Sequence, residues 1–503
     1  MHEKIDLTLP ELLAHGESDA PALLAPDRTE LTFHMLREQV YALVERLASL
    51  GLAGDRIAIV MENGPDLALS LLAASICGTA VPLNPKYRGA EFTFFYEKAN
   101  VKGLIVSPDI TPEAVDAASP GTIVTHAVAD RSGMLHFEST GSKRSGRDLL
   151  SPDPDDVAIL LHTSGTTKCP KSVPIRHRNV AASAANIVNA YNLTPEDRSL
   201  CVMPLFHIHG IVASLLAPLA SGGSVVCPPG FDARLFWGWV DMFHPTWYSA
   251  VPTMHQMLLS RTDQHAEVIR NNPFRFIRSC SSPLPPTVKE QLGAVFNVPV
   301  TEAYGMTETT HQIASNPLPP GICKPGAVGY GVGVQVAIMD EAGALLSAGS
   351  SGEVVVRGLN VVDGYENNPE ANEATFVRGW LRTGDQGVMD EDGYLTITGR
   401  LSEQINRGGE KISPADIDHV LLTHPAVAEA LAFAVPHRKL GEDMHAAVVL
   451  QASATERELR QHCASLLADF KVPRRIYILE TLPCGKTGKP MRISMAEIMG
   501  LEE

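Results

Sequence analysis

Short apolar runs alternate with longer amphipathic segments along the first four hundred residues, and this alternation is what most constrains the fold. The segment from Thr32 to Gly51 has the periodicity of a helix and lies between such runs. Strands alternating with helices predict a large N-terminal domain of layered α/β subdomains on largely parallel sheets. The predicted strands are RIAIVM, GLIVSP, VAILLHT, GSVVCP, FRFIRSC and VPVTEAYG, which begin at Arg56, Gly103, Val157, Gly223, Phe274 and Val298.

The pattern of predicted secondary structure changes twice towards the C-terminus. Closely spaced strands and turns after Gly326 indicate a small β subdomain appended to the α/β layers. Further on, SPADIDHVLLTHP opens with a helix start in which Ser413 is the N-cap and Pro414 the first helical residue. We therefore predict an N-terminal domain of residues 1–400, a hinge at 401–403 and a mobile α+β lid domain at 404–503.

Charge and cysteine usage exclude several classes of protein. A formal net charge of −16 argues against a nucleic-acid or anionic-membrane surface, although a local basic pocket for a phosphorylated ligand remains open. The eight cysteines are scattered without a C-x-x-C pair, which fits neither a zinc site nor a disulfide framework. The longest apolar stretch, from Leu67 to Leu83, is interrupted by Gly78 and Pro82, so we expect a buried helix and strand rather than a membrane span. We expect a cytoplasmic protein.

The stretch LHTSGTTKCPKS, from Leu161 to Ser172, has the composition of a phosphate-binding loop. Backbone N–H groups, hydroxyls and lysine ammonium groups converge on one anion in such loops. On its own, a cluster of small hydroxyl residues is as typical of a polar turn as of a phosphate-binding loop. The predicted phosphate contacts are Thr163, Ser164, Gly165, Thr166, Thr167, Lys168 and Lys171.

Four further stretches follow the loop in a fixed order: EAYGMTETTH, WLRTGDQG, GRLSEQINRGGEKISP and LPCGKTGKPMR. Taken alone, Asp385 in WLRTGDQG is typical of an aspartate in a turn. Taken alone, Lys489 in LPCGKTGKPMR is typical of an ordinary surface lysine. Together with the loop, the set resembles the adenylate-forming superfamily of acyl-CoA synthetases, luciferases and peptide-synthetase adenylation domains, over essentially the whole chain. The resemblance implies an acyl-CoA ligase that makes an acyl-AMP from a carboxylic acid and ATP and then transfers the acyl group to CoA.

The resemblance also implies roles for individual residues in nucleotide binding. Tyr304 stacks on adenine, Ser282 contacts the nucleotide, and Thr307 donates to the α-phosphate. Glu308 holds Mg²⁺, a cation that favours carboxylate and phosphate oxygens. Asp385 and Arg400 bind the ribose.

A second set of implied roles concerns chemistry and lid movement. Lys489 is the mobile cation that stabilises the charge developing during adenylation. The lid then rotates about the hinge position Ser402 and withdraws this lysine. Gly408, Gly409 and Lys411 then line a tunnel for CoA.

Several phrases, including PLFHIHG, RFIRSCSSPL and TETTHQIASNPLP, are most similar to the oxalyl-CoA synthetase branch of acyl-CoA ligases. This similarity does not fix the acid. Small residues leave room for a larger acid, whereas Arg278 and His311 fit a second carboxylate. The expected lining of the acyl pocket is His207, Ser281, Ala303, Gly305 and His311.

Three positions depart from the pattern of the superfamily. Lys168 and Ser172 stand where the loop usually has small residues or glycine, and Ser402 stands where the hinge usually has Asp or Lys. A lysine resists the positive φ that glycine allows in such loops. One alternative is therefore a ligase that no longer adenylates and takes a pre-formed acyl-adenylate from a separate adenylating enzyme, although Lys489 is retained. A second alternative, of another class, is a non-catalytic nucleotide-binding regulator.

Overall fold

A computed structural model describes residues 8–108, 112–130, 133–139, 150–163, 170–408, 410–484 and 490–501. The chain divides into two compact units, residues 1–336 with 356–381 and residues 337–355 with 382–503. The domain boundary at residue 400 and the hinge at 401–403 stay predictions. No helix among the described residues is long and apolar enough to cross a membrane.

The first unit contains two large, mostly parallel sheets, in agreement with the predicted layered α/β subdomains. Within the described chain, one has seven strands, mostly parallel, in the order Leu135–Ser139, Ile123–Ala129, Gly103–Val106, Arg56–Val60, Thr79–Pro82, Val157–Thr163 and Lys171–Arg176. The other has nine described strands, in the order Tyr330–Gly331, His311–Ser315, Val300–Met306, Phe276–Ser279, Trp247–Ala250, Arg198–Leu200, Ser224–Val226, Pro21–Leu24 and Leu31–Thr32.

Helices fill the space between and around these sheets. Phe33–Ser49 and His177–Tyr191 each contact strands of both sheets, which makes the unit layered. Pro65–Cys77 is buried all round from Leu67 onwards, as an apolar helix inside a large core must be. The remaining helices of this unit are Leu9–Leu13, Gly89–Lys98, Pro112–Asp116, the π-helix His209–Leu216, Ala217–Ala220, Phe236–Phe243, Pro252–Leu259, Ala266–Asn271, Pro286–Phe296 and Pro369–Thr375.

The second unit is built mainly from antiparallel strands. Leu395–Arg400 pairs with Trp380–Met389, beside Ser351–Arg357 and Gln335–Met339. A separate sheet has the order Glu410–Ile412, Ile405–Arg407, Gly441–Leu450 and Val427–His437, with Ile476–Leu479 also paired to Gly441–Leu450. The α-helices of the second unit are Pro414–Leu422, Glu456–Leu466 and Met495–Ile498. The predicted combination of layered α/β subdomains with a small α+β C-terminal region is confirmed.

The helix predicted after Ser413 is present, but the serine hydroxyl does not cap it. The helix begins at Pro414 as predicted, and the backbone of Ser413 is extended, as in an N-cap residue. Its Oγ instead donates to the carbonyl oxygen of Thr398, 2.6 Å away. The Ser413 hydroxyl proton is therefore used by the preceding strand, and no backbone N–H of the helix donates to its oxygen.

Two glycines three residues apart allow a test of close packing in the first unit. Gly326 and Gly329 both have positive φ, +75° and +89°. A Cβ on Gly326 would meet nothing within 4 Å, whereas one on Gly329 would lie 1.9 Å from the Ser315 carbonyl group. We expect Gly326→Ala to lower stability by about 1–2 kcal/mol because of its backbone conformation. Gly329→Ala should cost about 1–3 kcal/mol more because the backbone must move. Equal shifts of Tm in calorimetry would contradict the predicted contact.

Candidate functional site

The two ends of the predicted phosphate loop are held by a strand pair at the edge of the seven-stranded sheet. Thr163 is the last residue of one strand and pairs with Lys171, the first residue of the next. Ser164, Gly165, Thr166, Thr167 and Lys168 lie outside the described residues. Ser172 pairs with His162, is 3 % exposed and has no positive φ. The serine therefore occupies an ordinary strand position, where glycine is not needed.

Lys171 lies at the start of a short chain of contacts that ends at Glu308. Its Nζ is 4.4 Å from the centroid of the Tyr365 ring, a cation–π contact. The Tyr365 hydroxyl donates to Glu308 Oε1 at 2.8 Å. Burial, together with the charge of Glu308 and the hydrogen bond to it, raises the pKa of Tyr365, so the phenol keeps its proton. No pattern in the sequence pointed to Tyr365, which lies in a turn-like stretch, GYENNP.

Basic side chains surround the base of the same loop. Lys98 Nζ donates to the carbonyl oxygen of Pro170, and Arg56 pairs with Glu366. Burial, and then the charges of Lys98 and Arg56, lowers the pKa of His162 to about 4. This histidine is therefore neutral near pH 7.

A hairpin carries several residues expected to contact the nucleotide and three residues expected in the acyl pocket, Ala303, Gly305 and His311. Val300–Met306 includes Ala303, Tyr304 and Gly305, and a turn containing Thr307 and Glu308 leads to the strand His311–Ser315. The register shifts between Tyr304 and Gly305. A Cβ on Gly305 would lie 1.5 Å from the carbonyl oxygen of His311, so the position requires glycine.

Arg278 is completely buried beside this hairpin. Its Nε donates to the Tyr191 hydroxyl at 2.8 Å and its Nη1 to Ser249 Oγ at 2.9 Å. Its Nη2 contacts His311 Nε2 at 3.0 Å and Gln312 Oε1 at 3.1 Å. Among the described residues, no carboxylate pairs with this guanidinium.

The guanidinium determines the tautomers of two histidines. Arg278 cannot accept a hydrogen bond, so His311 Nε2 is the acceptor and the proton of the neutral ring lies on Nδ1. Burial, and then the charges of Arg278 and His209, lowers the pKa of His311 well below its usual value. Likewise His209 Nε2 faces Arg278 and the Ser249 hydroxyl, at 3.3 Å and 2.6 Å, and its Nδ1 lies 3.1 Å from Ser281 Oγ.

His209 and His311 stack, with ring centroids 4.8 Å apart. The sequence prediction placed His207 and Ser281 in the acyl pocket but assigned no role to His209. His207 is partly exposed, and its ring lies 4.8 Å from that of Phe206. Ser282 donates to the Ser281 carbonyl oxygen, which leaves Ser281 as the serine in contact with the histidines.

In the second unit, the two residues expected at the ribose contact each other. Arg400 Nε lies 2.9 Å from Asp385 Oδ1, and the residues pair across two antiparallel strands. Ser402 lies in a 3₁₀ turn, Leu401–Glu403, whose Glu403 accepts from Arg492. Gly408 has a φ of +61°. Gly409, Lys489 and the side chain of Lys411 lie outside the described part of the chain.

Comparison with known proteins identifies the family. The family model described as AMP-binding enzyme matches residues 11–366, and the model of its C-terminal domain matches residues 416–489. The chain belongs to the AMP-binding enzymes. It is 42 % identical over 492 residues to an oxalate–CoA ligase of Arabidopsis thaliana, covering 94 % of this chain and 96 % of that one.

Two further comparisons cover almost the whole length of this AMP-binding enzyme. A sulfoacetate–CoA ligase of Cupriavidus necator is 36 % identical over 486 residues, covering 95 % of this chain and 94 % of the relative. The structure of o-succinylbenzoate CoA synthetase from Bacillus subtilis, in complex with ATP and magnesium ion, superposes with a TM-score of 0.82. It is 30 % identical and covers 96 % of this chain and 98 % of its own.

The predicted activity class is confirmed: the chain is an AMP-forming acyl-CoA ligase, an acid–thiol ligase. The relatives lend no support to a regulator without activity or to a ligase that depends on a separate adenylating enzyme. The residue roles taken from the resemblance remain predictions.

Glu308 of this AMP-binding enzyme fits a magnesium ion bound together with nucleotide. It is 6 % exposed, and its Oε1 is occupied by Tyr365. Within the described ranges, no hydrogen bond reaches its Oε2, and no group of three His, Cys, Asp or Glu residues forms a metal cage. A single carboxylate combined with substrate phosphates is a common way for proteins to hold Mg²⁺.

The role of the branched guanidinium group of Arg278 can be tested by a substitution that retains the positive charge. We expect Arg278→Lys to lower kcat/KM for the acid about tenfold to a hundredfold while leaving KM for ATP unchanged, because one ammonium cannot serve both groups of acceptors. The measurement is steady-state acyl-CoA formation.

Arg275→Lys is the matched control, because Arg275 lies three residues earlier and binds Asp197 through two nitrogens at 2.9 Å and 3.0 Å. This control should lower Tm without a selective effect on the acid. An equal effect of both substitutions on kcat/KM would contradict a specific role of Arg278.

Proposed function

We propose that this ligase activates a small acid that carries a second anionic group, with oxalate as the first candidate. The observation that carries the proposal is the buried, permanently charged Arg278, whose partners among the described residues are all neutral. A buried cation without a countercharge is costly, and an anionic substrate bound nearby would offset part of that cost.

The hydrogen-bond order in this network supports binding of an anion beyond the histidines. The Nδ1–H of His209 donates to Ser281 Oγ, so the Ser281 hydroxyl proton is available to a further acceptor. In His311 the Nδ1–H is likewise a donor, because its Nε2 accepts from Arg278. We assign these two donors to the second anionic group of the acid, with Arg278 behind them rather than in contact with substrate.

The substrates in the relatives' names share this chemistry. Oxalate and 2-succinylbenzoate carry two carboxylates, and sulfoacetate carries a carboxylate and a sulfonate. An acid site with a fixed cation and oriented donors fits such acids, whereas it would leave buried donors unpaired with acetate or propionate.

The remaining roles follow the family pattern and belong to the same proposal. The acid carboxylate attacks the α-phosphorus of ATP and pyrophosphate leaves, with Lys489 and Thr307 stabilising the charge that forms. Residues 163–168 and Lys171 bind the β- and γ-phosphates. Magnesium held by Glu308 would neutralise part of the triphosphate charge.

Other residues hold the nucleotide and admit the thiol. Tyr304 stacks on adenine, Ser282 contacts the nucleotide, and Asp385 and Arg400 bind the ribose. After the lid turns at Ser402, the CoA thiol enters past Gly408, Gly409 and Lys411, attacks the acyl carbon and displaces AMP.

A panel of acids tests the substrate class. Purified protein is assayed for acyl-CoA with ATP, magnesium and CoA, and oxalate, malonate and sulfoacetate are compared with acetate and propionate. We expect kcat/KM for the best acid with two anionic groups to exceed that for the simple acids by roughly a hundredfold or more, because the simple acids leave polar groups unpaired. Comparable values for acetate or propionate would contradict the proposal.

The competence of the altered loop is tested by supplying the acid in two forms. The free acid with ATP and CoA, and the chemically prepared acyl-adenylate with CoA, should both yield acyl-CoA, because Ser172 lies in a regular strand rather than at a strained turn. Lys168→Gly should then leave the rate of pyrophosphate release unchanged. Product from the acyl-adenylate alone, with release restored by Lys168→Gly, would instead show that the loop has lost adenylation.

A further inference from the structure

Tyr365 contacts two charged groups that are proposed above to take part in adenylation, Lys171 and Glu308. It is 6 % exposed, its ring lies under the ammonium of Lys171, and its hydroxyl donates to Glu308. These neighbours come from different parts of the fold, since Lys171 begins a strand of the seven-stranded sheet and Glu308 lies in the turn of the hairpin. Tyr365 is thus a single side chain in contact with both.

The turn that carries Tyr365 is fixed to the strand of Lys171. The N–H of Glu366 donates to the carbonyl oxygen of Ser172 at 3.0 Å, and the Glu366 carboxylate pairs with Arg56. Asn372 binds the Tyr365 backbone on both sides, accepting from its N–H at 2.6 Å and donating to its carbonyl oxygen at 2.8 Å. The ring has little freedom to leave Lys171.

The same segment is also fixed to the turn of Glu308. The N–H of Val362 donates to the Glu308 carbonyl oxygen at 3.0 Å, and Asn360 Nδ2 donates to the Thr309 carbonyl oxygen at 2.9 Å. Backbone and side-chain bonds from one stretch of six residues therefore hold both the main chain and the carboxylate of Glu308. A carboxylate held at Oε1 presents its other oxygen in a fixed direction.

We propose that Tyr365 is a positioning residue for adenylation, whose hydroxyl orients Glu308 towards magnesium and whose ring holds the Lys171 ammonium towards the triphosphate. The proposal rests on the roles proposed above for Lys171 and Glu308. The hydroxyl and the ring act separately. The hydroxyl fixes the orientation of the Glu308 carboxylate, and the face of the ring fixes the position of the Lys171 ammonium. Thioester formation involves neither triphosphate nor these two groups and should not depend on Tyr365.

Two substitutions separate these contributions. Tyr365→Phe retains the ring and removes the hydroxyl, whereas Tyr365→Leu removes both. Binding of a non-hydrolysable ATP analogue is measured by titration calorimetry, once with magnesium and once with EDTA. This measurement reports on the positions of Glu308 and Lys171 without any turnover. We expect Tyr365→Phe to weaken only the magnesium-dependent binding, by roughly 10–100-fold. Tyr365→Leu should also weaken the binding measured in EDTA.

The control is Tyr96→Phe, which removes an equally buried phenol whose hydroxyl donates to the Ala114 carbonyl oxygen at 3.0 Å, within the same unit. This control should bind the analogue like the unaltered protein. In parallel, all variants should convert a prepared acyl-adenylate and CoA at the unaltered rate.

Three results would overturn the proposal: unchanged magnesium-dependent binding in Tyr365→Phe, an equal loss in Tyr96→Phe, or an equal loss in the acyl-adenylate reaction. Because the binding measurement contains no acid, an error in the proposed acid leaves this test intact.

Discussion

A guanidinium removed from water costs several kcal/mol unless its donors are satisfied. In this ligase Arg278 meets that requirement with four acceptor residues from three separate elements. Tyr191 ends a helix between the two sheets, Ser249 lies on the neighbouring strand, and His311 and Gln312 lie on the hairpin. One cation therefore joins these elements at the proposed acid site through side-chain hydrogen bonds.

His209, the first residue of a π-helix, completes the group. A π-helical turn is rare and is frequently found at functional sites. Here it brings His209 into contact with Ser249, Ser281 and the ring of His311. The irregular helix and the buried cation thus serve the same network.

The sequence predicted much of the fold because burial there follows local periodicity. The segment 157–163 forms a strand with the predicted bounds, and the stretch after Leu67 forms a buried helix followed by a strand. The use of the Ser413 hydroxyl was not predictable, since it depends on a carbonyl fifteen residues away. The full Arg278 network was not predictable either, because its partners lie between 29 and 87 residues away in the chain. Tyr365 carried no sequence signal because its contacts, Lys171 and Glu308, belong to two elements that are distant in the sequence.

The hairpin brings residues expected to bind the nucleotide close to residues expected to line the acyl pocket. Tyr304 pairs with Ala314, Gly305 with Gln312 and Met306 with His311, so the strand expected to hold adenine lies beside the strand that faces Arg278. The return between these strands places Thr310 and His311 at positive φ, +49° and +94°, a conformation that costs about 1–3 kcal/mol for each non-glycine residue.

The hydrogen bonds of Arg278 to His311 and Gln312, together with the close approach that Gly305 permits, offset that strain. Removing the guanidinium of Arg278 would therefore affect more than the charge at the proposed acid site. The strained return would lose its support, and with it the fixed spacing between the proposed sites for the acid carboxylate and the α-phosphate. Reaction between two bound substrates depends on such spacing, because misplacement by about 1 Å lowers the rate by about a hundredfold.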